Sequence, residues 1–197
     1  MPDLATIAKP FPAQLNMTSP GGGPFTLPWA CHAATCAWLY EAAFSRPVTG
    51  AEYNSFFLNA QPIMTNLAET HGGQVKALSD IGVGTLAPRG TLLVFYDSSG
   101  LRKTAGHSCV MKTSHYIVGY NQEGWFTGQG VNHGFSMHST SEICWVGGGD
   151  VSNRTGTQHY SLLAVSEQHA IEFIRRLVIG ELRRFAYEEF FKPVKFS

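Results

Sequence analysis

The chain has 197 residues, 44% of them hydrophobic, and 14 basic residues balance 14 acidic ones. This composition indicates one globular domain with a substantial core and excludes a disordered chain. The balanced charge offers no basic surface to nucleic acid, and no apolar stretch approaches the length of a transmembrane helix. We therefore expect no nucleic-acid partner and no stable membrane insertion.

The first segment of the chain contains several prolines and the glycine run 21–23, with little periodicity. This pattern predicts an extended N-terminal arm over residues 1–24, followed by a single domain over 25–197. Residues 1–16 lack an apolar stretch flanked by basic residues, so no secretory signal peptide is predicted. We expect the protein to be made in the cytoplasm, with export by a route that needs no cleaved signal left open.

Residues 28–43 are rich in alanine, and Pro28 stands where a helix tolerates proline, in its first turn. The preceding glycines cannot be helical, so the predicted helix begins close to Cys31. A thiol in a first turn faces unpaired N–H groups and the positive end of the helix dipole, which lower its pKa. Cys31 is thus a candidate nucleophile, and the alternative is a small buried hydrophobe.

The four cysteines have neither a C-x-x-C pair nor a regular spacing (Cys31, Cys36, Cys109 and Cys144). This pattern argues against a zinc site and against a disulfide framework. We expect no metal and no cofactor.

The rest of the chain predicts helices first and strands afterwards. Helices are predicted over 51–60, over 74–81 and from Ser166 to about Phe190, where the arginines form a solvated face. Short apolar runs separated by turns predict strands at 91–96, 107–111, 116–120, 125–127, 143–146 and 161–165. The fold class is therefore α+β, with an antiparallel sheet and a long C-terminal helix.

Two short motifs resemble known catalytic families. The segment Cys31-His32-Ala33-Ala34 resembles the C-x-A-A start of the nucleophile helix in papain-like hydrolases. Residues 89–95 followed by 106–110 are similar to the paired strands of NlpC- and CHAP-type members. The resemblance implies a papain-like fold with Cys31 as nucleophile and His107 as base. It also implies hydrolase chemistry on an amide.

The chain departs from those families at two places. Thr91 stands where they often have aspartate, and no glutamine shortly before Cys31 is available to stabilise an oxyanion. The backbone N–H of Cys31, together with an N–H from a loop, would have to serve instead.

His107 has one main rival as the base, since His115 also opens a predicted strand. We prefer His107 because a preceding strand and turn position it. His32 is expected to be a surface side chain. The other histidines have no motif around them and are interpreted as structural or solvated (His71, His133, His138, His159 and His169).

The third catalytic residue is predicted to be Asp150, which ends a glycine-rich loop able to hold a carboxylate. The alternatives that are nearer in sequence are Asn121, Gln129 and Asn132. A Cys-His-Asp set with a distant aspartate resembles the Rho-GTPase deamidase effectors of the TecA type. That resemblance implies a bacterial toxin delivered by type VI secretion, a host Rho-family small GTPase as protein substrate, and action in the host cell.

The sequence therefore favours an amide hydrolase, with deamidation of a host protein ranked first. Peptidoglycan amidase or endopeptidase activity ranks second and proteolysis third. A permuted site with Cys144 as nucleophile is disfavoured because the glycines of 147–149 cannot start a stable helix. A binding module without catalysis, in which Cys31 belongs to the core, is the alternative of another class.

Overall fold

The computed structural model describes residues 3–11, 17–18, 24–25, 31–77, 85–97, 103–126, 134–153, 156 and 158–190. The helices are α1 (Leu4–Ile7), α2 (Cys31–Phe44), α3 (Gly50–Phe56), α4 (Ala60–His71), α5 (Glu123–Phe126) and α6 (Glu167–Phe190). The strands are β1 (Met17–Thr18), β2 (Pro24–Phe25), β3 (Gly73–Gln74), β4 (Leu92–Asp97), β5 (Thr104–Met111), β6 (Tyr116–Tyr120), β7 (Phe135–Ser139), β8 (Asp150–Ser152) and β9 (His159–Val165).

The main sheet is antiparallel throughout and has the strand order β3-β9-β4-β5-β6-β7, with β8 also paired to β9. Strands β1 and β2 pair with each other. The predicted α+β class, with an antiparallel sheet and a long C-terminal helix, is confirmed. No helix in the described part of the chain is both long and apolar enough to cross a membrane.

The sheet is covered on both faces. Side chains of β4 alternate between two apolar clusters, with Leu92 and Val94 in one and Leu93 and Phe95 in the other. The first cluster contains residues of α1, α2, α3, α4 and α6. The second contains Phe126 of α5 and apolar residues of β8 and β9. Because both faces are buried, β4 is a continuous apolar run instead of an alternating one.

Helix α2 lies at the centre of the fold. Every residue from His32 to Tyr40 is buried, and the helix contacts α4, α6, β5 and β6. A helix that is buried on all sides is typical of the centre of a domain. The expectation that His32 is a surface side chain is wrong, because its ring packs between α2 and the sheet.

The beginning of the chain belongs to the core. Leu4 and Ile7 of α1 are at most 2% exposed. Asp3 caps the helix by accepting a hydrogen bond from the Thr6 N–H at 2.7 Å, and its carboxylate pairs with Arg89. The extended arm predicted over 1–24 is therefore wrong for these residues. Four helical residues are too few to show a helical period in the sequence.

Several other elements differ from the predictions. Helix α4 was not predicted. The helix predicted over 74–81 is wrong at its start, because Gly73–Gln74 is a strand. Residues 78–81 lie outside the described residues. Trp125 is helical and not in a strand, and residue 127 lies outside the described residues. Instead of a strand over 143–146, a single bridge joins Trp145 to Val151.

We expect Leu4→Ala to lower the free energy of unfolding by about 2–4 kcal/mol, since it removes a fully buried side chain and leaves a cavity. Leu58 is 48% exposed, so Leu58→Ala is the matched control and should change stability by less than about 0.5 kcal/mol. Urea unfolding of both variants measures the difference. Equal stability of the Leu4 variant and the wild type would mean that α1 is not packed in solution.

Candidate active site

Cys31 is the first residue of α2 and carries a free, half-buried thiol. Burial raises the pKa of this thiol to about 11, and the backbone N–H groups of Ser108, His32 and Cys31 act in the opposite direction. The helix start thus supplies the N–H donors that the sequence predicts. The expected net lowering of the pKa is wrong, because loss of water outweighs those donors.

The thiol lies where two strands of the sheet separate. Strands β5 and β6 pair only at Val110↔Val118 and Met111↔Ile117. The N–H of Lys112 donates to the Tyr116 carbonyl, on the side of β5 that faces β6. Backbone N–H groups alternate between the two sides of a strand, and Ser108 is an even number of residues from Lys112, so its N–H points to the same side. The Ser108 N–H therefore points toward β6 beyond the end of the ladder, where it meets the Cys31 sulfur in place of a strand partner.

His107 immediately precedes Ser108 and projects from the other face of β5. Its ring stacks on Trp125 at 5.4 Å between centroids and also contacts Phe95 at 5.5 Å. Burial lowers the pKa of His107 to about 3, so the ring is neutral at ordinary pH. Neither ring nitrogen has a hydrogen-bond partner among the described residues.

Gln122 follows β6 and lies beside His107, where its carboxamide raises the pKa of the imidazole against the stronger effect of burial. The side chain is fully buried, and its Nε2 donates to the Ser136 carbonyl at 2.8 Å. Its Oε1 makes no hydrogen bond of ordinary geometry with another described residue. The sequence did not indicate Gln122 as a neighbour of His107, since it lies between the strands predicted at 116–120 and 125–127, where a turn is expected.

Two glycines leave room for this arrangement. A Cβ at Gly119 would lie 3.1 Å from the Gln122 carboxamide, so the absence of a side chain lets that amide fold back over β6. Gly106 is the extra residue of a bulge, because Phe95 pairs with His107 and Tyr96 with Ala105. Bulges re-aim nearby side chains, and this one directly precedes His107.

The structure does not bring Asp150 to His107. Asp150 is the first residue of β8 and pairs with Ser161 of β9, and β4 separates β9 from β5. Three strand spacings of about 4.8 Å place it about 14 Å from β5, beyond the reach of a carboxylate. The predicted role of Asp150 as the residue that orients His107 therefore has no support in its position.

The remaining candidates are distributed as follows. His115 is exposed in the β5–β6 turn, at the far end of β6 from Gln122. Asn121 has a positive φ of 59°, and its buried Oδ1 has no partner among the described residues. Gln129 and Asn132 lie outside the described residues. Cys144 is exposed.

No three His, Cys, Asp or Glu side chains gather into a metal-binding cluster within the described ranges. No family model, no curated protein and no solved structure matches this chain. The chemistry that this site can support is therefore set by Cys31, His107 and Gln122 themselves.

We expect Cys31 to react slowly with iodoacetamide at neutral pH, because a pKa of about 11 leaves little thiolate. Its alkylation rate should rise about tenfold per pH unit up to that value. Exposed Cys144 should react faster at neutral pH, and peptide mass mapping separates the two sites. Rapid alkylation of Cys31 below neutral pH would contradict the raised pKa.

We also expect stability to fall on acidification. The pKa of His107 is lowered to about 3 and that of His32 to about 4, so the unfolded chain binds protons more readily than the folded one. The free energy of unfolding therefore rises with pH between about 3 and 6.5. His107→Gln removes one group that takes up a proton on unfolding, so the slope of the free energy of unfolding against pH should fall by the equivalent of about one proton. Urea unfolding at several pH values in this range measures the slope. His115→Gln, at an exposed position, is the control, and a slope equally steep in His107→Gln and wild type would refute the assignment.

Proposed function

We propose that this protein is a cysteine-dependent amide hydrolase in which Cys31 is the nucleophile, His107 the base and Gln122 the residue that orients His107. One observation carries the proposal. A thiol at a helix start meets three backbone N–H groups, and the peptide it contacts leads directly to a buried imidazole that lies beside the Gln122 carboxamide and whose nitrogens make no hydrogen bond of ordinary geometry within the described residues. Buried polar atoms without partners are rare, and catalytic sites are one place where they occur.

The proposal requires Cys31 and His107 to cooperate although His107 and Ser108 project from opposite faces of β5. An N–H group of a strand lies in the plane of its sheet. A sulfur that meets the Ser108 N–H therefore lies at the edge of β5, between the two faces. At that edge the thiol is not confined to the face opposite His107.

The reaction would begin from a neutral thiol and a neutral imidazole. The proton of the Cys31 thiol passes to His107 while the sulfur bonds to the carbonyl carbon of the amide, and the carbonyl π pair moves to oxygen. When that pair returns, the C–N bond breaks and the proton on His107 leaves with the nitrogen. Water, deprotonated by His107, then cleaves the thioester, which releases the acid and restores the thiol.

We propose deamidation of a protein side chain as the reaction, in a papain-like hydrolase acting as a secreted bacterial effector or toxin. A host Rho-family GTPase is the substrate that the TecA-type resemblance implies. The position of Asp150 removes one element of that resemblance, the distant aspartate. The Cys31 motif and the paired-strand motif around His107 remain, and they support a papain-like hydrolase as a class.

A non-catalytic binding module is the second candidate, and a specific observation favours it. Burial moves the pKa of Cys31 up and that of His107 down, so neither group is charged at neutral pH. Two buried, uncharged side chains are also what a hydrophobic core without catalytic function would contain. The two candidates differ in whether Cys31 is needed for chemistry.

We expect Cys31→Ala and His107→Ala each to lower amide hydrolysis by at least about 10³-fold, because nucleophile and base act as one unit. Gln122→Ala should cost about 10–10³-fold, since a misoriented imidazole still works at times. The assay is incubation with host-cell lysate, followed by peptide mapping for amide-to-acid mass changes.

Cys36→Ala and Asp150→Asn are the matched controls for this series and should keep most of the activity. Cys36 is fully buried one turn beyond the site, and Asp150 lies on a distant strand. Full activity without Cys31 would reject the proposed chemistry. A larger loss in Asp150→Asn than in Gln122→Ala would restore the aspartate as the orienting residue.

A further inference from the structure

A buried polar bridge joins the first turn of α2 to β5 beside the thiol. His32, Thr35 and Ser108 are each at most 7% exposed. The His32 Nε2–H donates to the Ala105 carbonyl at 3.1 Å, because a carbonyl can only accept. Burial lowers the pKa of His32 to about 4, so the ring is neutral and its Nδ1 accepts from the Ser108 hydroxyl at 3.0 Å.

Thr35 closes this bridge onto Cys31. The proton of its hydroxyl is shared between the Cys31 carbonyl at 2.9 Å and the Ser108 Oγ at 3.0 Å, because the Ser108 proton is given to His32. Ser108 also contacts the side chain of Cys31, because its main-chain N–H faces the Cys31 sulfur. The bridge therefore starts at the carbonyl of Cys31 and ends at its side chain.

We infer that His32 and Thr35 are positioning residues that hold the Ser108 N–H against the Cys31 sulfur, where that N–H stabilises negative charge on the sulfur as the thiol gives up its proton. The inference rests on the proposed function. A donor that is already in place when charge develops costs no reorganisation at that moment. The Ser108 N–H thus joins the His32 and Cys31 N–H groups as a donor to the sulfur.

The composition of the bridge supports positioning over simple packing. Elsewhere on α2, alanines such as Ala33, Ala34 and Ala37 fill buried positions without any polar group. Burying three polar side chains is costly unless each is hydrogen bonded, and a fully bonded network fixes one geometry. The buried polar side chains of this helix turn, His32 and Thr35, thus lie beside Cys31 and Ser108, whose relative position they fix.

The experiment measures alkylation of Cys31 by iodoacetamide across pH, by peptide mapping, in Thr35→Val and Ser108→Ala. Both variants should raise the midpoint of the profile and slow alkylation about tenfold at a fixed pH below it. Thr35→Ser keeps the hydroxyl and should stay within about twofold of wild type. Thr70→Val is the matched control, because Thr70 makes the same type of bond to Asn66 at 2.7 Å in α4, away from the thiol.

Alkylation at the wild-type rate or faster in Thr35→Val would overturn the inference, as would a Thr35→Ser variant as slow as Thr35→Val. Where urea unfolding shows that Thr35→Val does not fold, Ser108→Ala decides by the same criteria. Absence of hydrolysis in the wild type would reject the proposed function. The alkylation profile needs no substrate, so it would still test whether the bridge positions the Ser108 N–H. An active enzyme whose bridge variants keep the wild-type profile would reject only the positioning role.

Discussion

The separation of β5 from β6 beyond Val110 is the constraint on which the rest of the site depends. A complete ladder would give the Ser108 N–H a strand carbonyl, and the edge of β5 would be closed. Because the ladder ends, α2 can insert its first residue there, and the thiol takes the place of the missing strand. The return of the chain after β6 then brings Gln122 to the other side of the same opening, next to His107.

Burial and local dipoles compete at this opening, and burial prevails. The start of α2 supplies the N–H groups expected to favour a thiolate, yet the fold removes more water than those groups replace. The same balance keeps His32 and His107 neutral. A resting site made of uncharged groups avoids the cost of burying an ion pair. In the proposed amide hydrolase, charge would separate only when an amide carbonyl is present to receive the electron pair.

The parts of the fold that the sequence predicts are those with strong local signals. The start of α2 at Cys31 follows from the glycine run, and β4 and β5 follow from their apolar runs. Helix α4 has a weak helical pattern, because only four of its residues are buried (Ala60, Met64, Leu67 and Ala68) and Pro62 lies in its first turn, where proline is tolerated. Gln122 was missed for another reason: its role comes from a fold-back over Gly119 that no periodicity records. The burial of His32 likewise depends on tertiary packing around all sides of α2.

The burial of β4 on both faces makes this strand a risk for aggregation before the chain has folded. Five successive apolar residues, Leu92 to Tyr96, form the middle of the sheet, and Asp97 is the first charge after them. Segments of this kind, with high β-propensity and no charge, pair readily with copies of themselves when they are exposed. The native fold conceals this run between β5 and β9, so an incompletely folded chain is prone to aggregate through it. Soluble yield thus depends on how completely the helices close over this strand after synthesis.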